Sequence, residues 1–149
     1  MRLFVSVVLI LFSVAEAPAQ GPWEQMQTLP GVWSAAAAFG DYTGDGLPDL
    51  VLAGQTGPAD GGGRIARVYR NLGGALFADS GSSLTGVAYG SVGWADYDGD
   101  GDLDLALSGM DDLDLEILRV YRNDNGILLE DSDQSAFVPV RYTALAWGD

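Results

Sequence analysis

The sequence predicts an all-β chain, a partial β-propeller made of two four-stranded blades plus the start of a third. Three observations carry that prediction. Short apolar runs rich in Val, Leu and Ala are punctuated by Gly, Pro, Asn and Asp. No apolar stripe of helical period stands out after residue 20. The chain also repeats itself at an interval of about 50 residues, a length typical of stacked β units.

The repeats place the elements. "VWSAAAAFGDYTGDGLPDLVLAG" begins at Val32 and aligns without a gap to "VAYGSVGWADYDGDGDLDLALSG", which begins at Val87, an offset of 55. "ARVYRNLGGALFADS" from Ala66 matches "LRVYRNDNGILLEDS" from Leu118 at an offset of 52, the difference of three falling in the connecting loop "QTGPADGGGR". "VRYTALAWGD", Val140 to Asp149, matches "VAYGSVGWAD" at an offset of 53. In the second copy the strands are expected at Val87–Trp94, Leu103–Leu107, Ile117–Arg122 and Ile127–Glu130. Asn125-Gly126 suits a tight hairpin because both residues tolerate positive φ, and Gly73-Gly74 serves the same turn in the first copy. Four strands in about 50 residues is the size of a propeller blade. A β-sandwich also has short strands but no reason to repeat its sequence.

The chain therefore divides into a leader at 1–19, an amino-terminal segment at 20–31, repeats at 32–84 and 85–139, and the start of a third repeat at 140–149. Two blades cannot close a ring, and the third copy stops on its first acid, so the sequence reads as a fragment of a longer propeller.

The leader has Arg2 near its start, an apolar run from Leu3 to Ala15 and small residues after it. Such a run is too short to span about 30 Å of hydrocarbon as a helix, and it suits a signal peptide cut after Ala19. A buried amino-terminal helix is the alternative. Export to the extracellular space, the cell surface or a periplasm follows, with no membrane insertion after cleavage.

Composition excludes several chemistries. The chain has no His and no Cys, which removes Ser-His-Asp and Cys-His nucleophile systems and the usual zinc sites. A formal charge of −14 opposes binding to nucleic acid and to anionic lipid. The 48% apolar content is enough to form a core.

The concentrated acids are the strongest chemical signal. "WADYDGDGDLDLALSG" places aspartate at 96, 98, 100, 102 and 104. On an extended strand all five would face one way and repel one another. Gly99 and Gly101 let the chain wrap instead. Counting Asp96 as position one, Asp96, Asp98, Asp100 and Asp104 supply side-chain oxygens at one, three, five and nine, and Asp102 supplies its carbonyl at seven. Calcium, which takes six to eight oxygens at about 2.3–2.6 Å, fits such a loop better than magnesium does. In the first copy the same positions hold Asp41, Thr43, Asp45, Leu47 (by its carbonyl) and Asp49, with Gly46 at the turn. Thr43 replaces a carboxylate with a hydroxyl, so this loop should bind more weakly. An EF-hand would need glutamate at position twelve and flanking helices, whereas Leu52 and Leu107 stand there inside apolar strands. A plain solvated acidic turn is less consistent with finding the spacing twice.

"FGDYTGDGLPDLVLAG", "ADYDGDGDLDLALSG" and the blade-length spacing resemble FG-GAP (VCBS-type) repeats, the units of integrin α-subunit propellers and of many secreted bacterial proteins. The resemblance covers Val32 to Asp149. Phe39-Gly40 stands at the family's Phe-Gly, Trp94-Ala95 and Trp147-Gly148 replace it in the later copies, and no Gly-Ala-Pro is found. It implies calcium at the loop positions named above and a propeller with further blades.

Other stretches read as structural. "DDLDLE", Asp111 to Glu116, lacks a glycine for a wrap and is expected to be a solvated turn. In the twice-seen "RVYRN", alternation puts Val68 and Arg70 on one face and Arg67 and Tyr69 on the other, with Arg70 and Arg122 pairing acids between blades. Trp94 and Trp147 are expected in the core. Every close carboxylate pair belongs to a metal loop, which argues against glycoside hydrolysis. The functional expectation is a secreted, non-catalytic, calcium-binding adhesion module that binds an extracellular protein or glycan. The alternatives are an accessory or catalytic propeller of a secreted hydrolase, and a purely structural acidic repeat.

Overall fold

The apolar runs that follow the two acidic loops lie between two layers of side chains. Strands covered on both faces carry continuous rather than alternating apolar sequence. Leu50 to Ala53 and Leu105 to Leu107 are accordingly buried throughout. The structure is a computed structural model that describes residues 28–58, 62–133, 138–142 and 144–147. The expected leader lies outside the described residues.

Eight strands form two antiparallel sheets. The first joins β1 (Val32–Gly40), β2 (Asp49–Thr56), β3 (Arg64–Asn71) and β4 (Phe77–Asp79) in that order. The second joins β5 (Ala88–Ala95), β6 (Asp104–Met110), β7 (Glu116–Asp124) and β8 (Ile127–Glu130) in the same way. This is the expected all-β, open, propeller-like arrangement, and strands, not helices, flank both acidic loops. The expected strands of the second copy all form, with β6 and β7 running a few residues further.

The sheets pack face to face. Val51 and Ala53 of β2 with Ala66 and Val68 of β3 share one core with Leu105 and Leu107 of β6 and Tyr121 of β7. Leu105 and Leu107 are fully buried, each worth about 1.5–3 kcal/mol relative to exposure. Leu50, Leu52 and Tyr69 turn to the other face and join Val32 and Phe77 in a second cluster. The alternation expected of Val68 and Tyr69 is therefore observed.

Trp94 docks the sheets together. Its indole Nε1 donates to the Ala38 carbonyl at 3.4 Å, and a Cβ added at Gly40 would lie 2.7 Å from its Cδ1. Gly40 is thus required by close approach. Trp147 differs from expectation, being 40% exposed. It sits over Gly93, where an added Cβ would be 3.3 Å from its Nε1, in the manner of Trp94 over Gly40, and its ring is tilted against that of Tyr97 at 6.1 Å.

A backbone signature recurs in all three copies. The β1–β2 register shifts between Trp33 and Ala36, and the β5–β6 register shifts between Ala88 and Ser91. Ser34, Tyr89 and Tyr142, which align in the repeats, have φ of 51°, 59° and 55°. Opposite the first two bulges stand Gly54 and Gly109, where an added Cβ would meet Ala35 Cα at 3.1 Å and the Ala88 carbonyl at 2.7 Å. The Tyr142 N–H donates to the Tyr89 carbonyl at 2.6 Å, the Leu145 N–H donates to Ser91 Oγ at 3.2 Å, and Arg141 pairs with Glu116 at 2.9 Å. Arg141, Tyr142 and Leu145 are thereby tied to the second sheet.

Two expectations about ion pairs are corrected. Arg122 pairs within its own sheet, 3.9 Å from Asp98 and 3.6 Å from Asp131, and Arg70 is exposed with no ion pair among the described residues. Both lie on the third strand of their sheet and turn their side chains to solvent. Among the described residues the ion pair between sheets is Arg64–Asp114 at 2.7 Å, reinforced by the Arg64 N–H donating to Asp112 Oδ1 at 2.9 Å. "DDLDLE" is therefore a clasp as well as a turn. Asp111 folds it by accepting the Leu113 and Leu115 N–H groups, which aims Asp112 and Asp114 at the first sheet.

Candidate metal centre

Each acidic loop joins the first and second strands of its sheet and folds on its own aspartates. In the second loop, Asp96 Oδ1 accepts the Gly99 N–H at 2.8 Å and Oδ2 accepts the Gly101 N–H at 3.1 Å. Asp98 accepts from Asp100 N at 3.3 Å, and Asp100 accepts from Asp102 N at 2.9 Å. Gly99 and Gly101 hold φ of 79° and 99°, a region open to glycine at little cost. The first loop repeats the plan: Asp41 accepts the Asp45 and Gly46 N–H groups at 3.0 and 2.8 Å, and Asp45 accepts from Leu47 N at 2.9 Å.

The ninth position is built differently. Asp104 is completely buried, and its oxygens accept the Tyr97 N–H at 2.7 Å and the Asn123 N–H at 2.8 Å. Asp49 is equally buried. It accepts the Asn71 N–H at 2.7 Å on one oxygen, and on the other the Thr43 N–H and hydroxyl at 3.3 and 3.2 Å. A buried carboxylate is tolerated only when its charge meets donors such as these. These two aspartates pin each loop to the end of the third strand.

The carboxylate oxygens of Asp96, Asp98 and Asp104 lie within 4.8 Å of one another, the only group of three acids that converges so among the described residues. Asp100 and Asp102 stand outside that group, their oxygen and N–H engaged in the turn. Shielding from solvent and repulsion from Asp100 and Asp104 hold the Asp98 carboxyl above its ordinary value, with the Asp100 N–H and Arg122 pulling it back. The set is all oxygen, and each carboxylate oxygen that accepts one N–H keeps another lone pair, which suits a hard divalent cation. In the first loop Asp41, Thr43, Asp45 and Asp49 form no such group; the Thr43 hydroxyl donates its proton to Asp49.

The repeat pattern described as an FG-GAP-like repeat matches residues 41–107, from the first acid of the first loop to the end of the apolar run after the second. The chain carries an FG-GAP-like repeat. Repeats of this kind are non-catalytic. No curated protein and no solved structure matches the chain.

Sequence reasoning missed Asn71, inside the matched stretch, and Asn123, beyond it, whose signal was the twice-seen "RVYRN" read only for its arginines. Asn71 Nδ2 donates to the Pro48 carbonyl at 2.9 Å, and its Oδ1 accepts from Gly73 N at 2.9 Å. Asn123, 2% exposed, repeats these bonds to the Leu103 carbonyl and Gly126 N at 3.1 and 2.7 Å. Each asparagine thus holds the exit of its acidic loop against the following hairpin.

Proposed function

We propose that this chain is an exported calcium-binding module that works by binding, with the ion stiffening the loops at the edge of its stacked sheets. The single observation that carries the reading is the convergence of Asp96, Asp98 and Asp104 in an all-oxygen loop inside an FG-GAP-like repeat. The tighter site is the second loop, with Asp96, Asp98, Asp100, Asp102 and Asp104 as its ligand positions. The weaker is the first, with Asp41, Thr43, Asp45, Leu47 and Asp49. The repeat divisions at 32–84, 85–139 and 140–149 are part of this proposal, supported by the recurring positive φ at Ser34, Tyr89 and Tyr142. The partner class is an extracellular protein or glycan, reached after loss of the leader at 1–19. Among the described residues no helix is long and apolar enough to cross a membrane.

Calorimetric titration of the chain with calcium tests the reading. The expected result is a site at the second loop with Kd of about 10⁻⁴–10⁻³ M, as in extracellular modules, and a weaker one at the first. Asp98→Asn should remove the tighter site, and Thr43→Asp should strengthen the weaker. Absence of calcium binding at millimolar concentration would refute it.

A further inference from the structure

We infer that Asn123 is a positioning residue for the neighbouring blade's metal loop and couples the two calcium sites, an inference that rests on the reading above. An asparagine amide has two N–H donors. One Asn123 donor holds the Leu103 carbonyl inside its own blade; at 2.7 Å the same Nδ2 also reaches the Tyr42 carbonyl in the first acidic loop. Tyr42 stands between Asp41 and Thr43, positions one and three of that loop. Its peptide is gripped at both ends. The carbonyl bonds to Asn123 of the second sheet, and the N–H of the same peptide plane, on Thr43, donates to Asp49 at 3.3 Å. Because the peptide is rigid, fixing both ends fixes the directions in which the chain leaves it at Tyr42 Cα, next to Asp41, and at Thr43 Cα.

The other end of the chain of bonds lies in the second loop. The Asn123 N–H donates to Asp104 at 2.8 Å, and Asp104 is one of the three converging acids. A second contact runs in parallel: the Tyr42 ring stacks on Trp94 at 5.4 Å and 11°, two residues before Asp96. An ion held by Asp104 restrains Asn123, which restrains the Tyr42 peptide and pre-orders the first loop. The first loop, with its hydroxyl at position three, has more to gain from such ordering. Coupling of this kind is reciprocal, and between sites in proteins it commonly amounts to about 5–150-fold in affinity.

The test follows calcium binding in the full chain by NMR, with the Gly44 and Gly46 amides reporting the first loop and Gly99 and Gly101 the second. Asp98→Asn empties the second loop while keeping an oxygen for the Asp100 N–H. The expected result is a first-loop Kd weakened about fivefold or more by Asp98→Asn. In an Asn123→Ala background the same change should have little further effect, so the coupling factor falls toward one. A residue that merely stabilised the fold would leave that factor unchanged. The Asp98→Asn comparison needs no change at Asn123, so it decides whether the loops communicate even if Asn123→Ala does not fold. Two independent calcium sites, or calcium at the second loop with the first never occupied, overturns the coupling and leaves the calcium reading standing. No calcium at either loop overturns both.

Discussion

Asp98 and Asp104 converge on one point but are predicted to do opposite things to the calcium-free protein. Asp104→Ala strands two N–H donors: that of Asn123, which is buried, and that of Tyr97. Each costs about 1–3 kcal/mol when left without an acceptor, and the carboxylate bonds were charge-assisted, so a loss of about 3–5 kcal/mol is expected. Removing a carboxylate also relieves Asp98, which works in the other direction and places the result toward the lower end. Asp98→Asn, in contrast, removes a repelling charge from an exposed position and should leave calcium-free stability unchanged or raised. With calcium the ranking of responses changes. At about 10 mM calcium and a Kd of about 10⁻⁴–10⁻³ M, a site gives roughly 1.4–2.7 kcal/mol through RT ln(1 + [L]/Kd). Asp98→Asn should lose that gain at the second loop. Urea unfolding followed by tryptophan fluorescence, in chelator and in calcium, measures all four quantities. If Asp104→Ala costs no more than Asp98→Asn in chelator, the buried aspartate is not a pin, and the distinction drawn between ligand and anchor fails.

Three further perturbations probe the stack and the core. Gly40→Ala drives a methyl against the Trp94 ring and should destabilise by about 1–3 kcal/mol with a shift in tryptophan emission; an unchanged melt would mean the ring has room. Arg64→Met should be neutral or stabilising in thermal melts, because Arg64 Nε and Nη1 are buried without a partner, whereas Asp114→Asn should cost about 1 kcal/mol or less since Asp114 is 74% exposed. Burial pushes the Tyr42 and Tyr69 phenols above their ordinary value of 10.0. A raised tyrosine favours the fold below the unfolded value and ceases to do so as pH climbs through the folded one. Thermal stability should therefore fall from about pH 10 upward, alongside two late-ionising tyrosines in the ultraviolet titration.

Much of this was legible because the repeats carry their own controls. Strand order, the glycine-dependent loop wraps and the Asn125-Gly126 hairpin are local, and local chemistry is written in neighbouring residues. The dual burial of β2 was readable from the unbroken run Leu50 to Ala53. What escaped were relations between residues far apart in the sequence, within a blade and from one blade to the next. Spacing alone made Asp49 and Asp104 equivalent to the other acids; only the fold shows their oxygens facing the N–H groups of Asn71 and Asn123, 22 and 19 residues away. "DDLDLE" read as solvent-facing because its partner, Arg64, lies 50 residues from Asp114. Trp147 read as core because Trp94 is, yet a ring is buried only by what lies on both its sides.

Those inter-blade relations bear on what an ion in these loops would stabilise. A calcium held only by a surface turn would rigidify that turn and leave the core indifferent. Here the loop's ninth residue is buried at the end of the third strand, and the asparagine bonded to it reaches across to the previous blade. Tyr42, the residue reached, is itself 3% exposed and packed in the core shared by the two sheets. Loop order and sheet stacking are therefore one cooperative problem. An ion bound at the rim would pass its binding energy to the interface through two hydrogen bonds and a stacked pair of rings, so the proposed binding surface would keep its shape only while the loops remain closed.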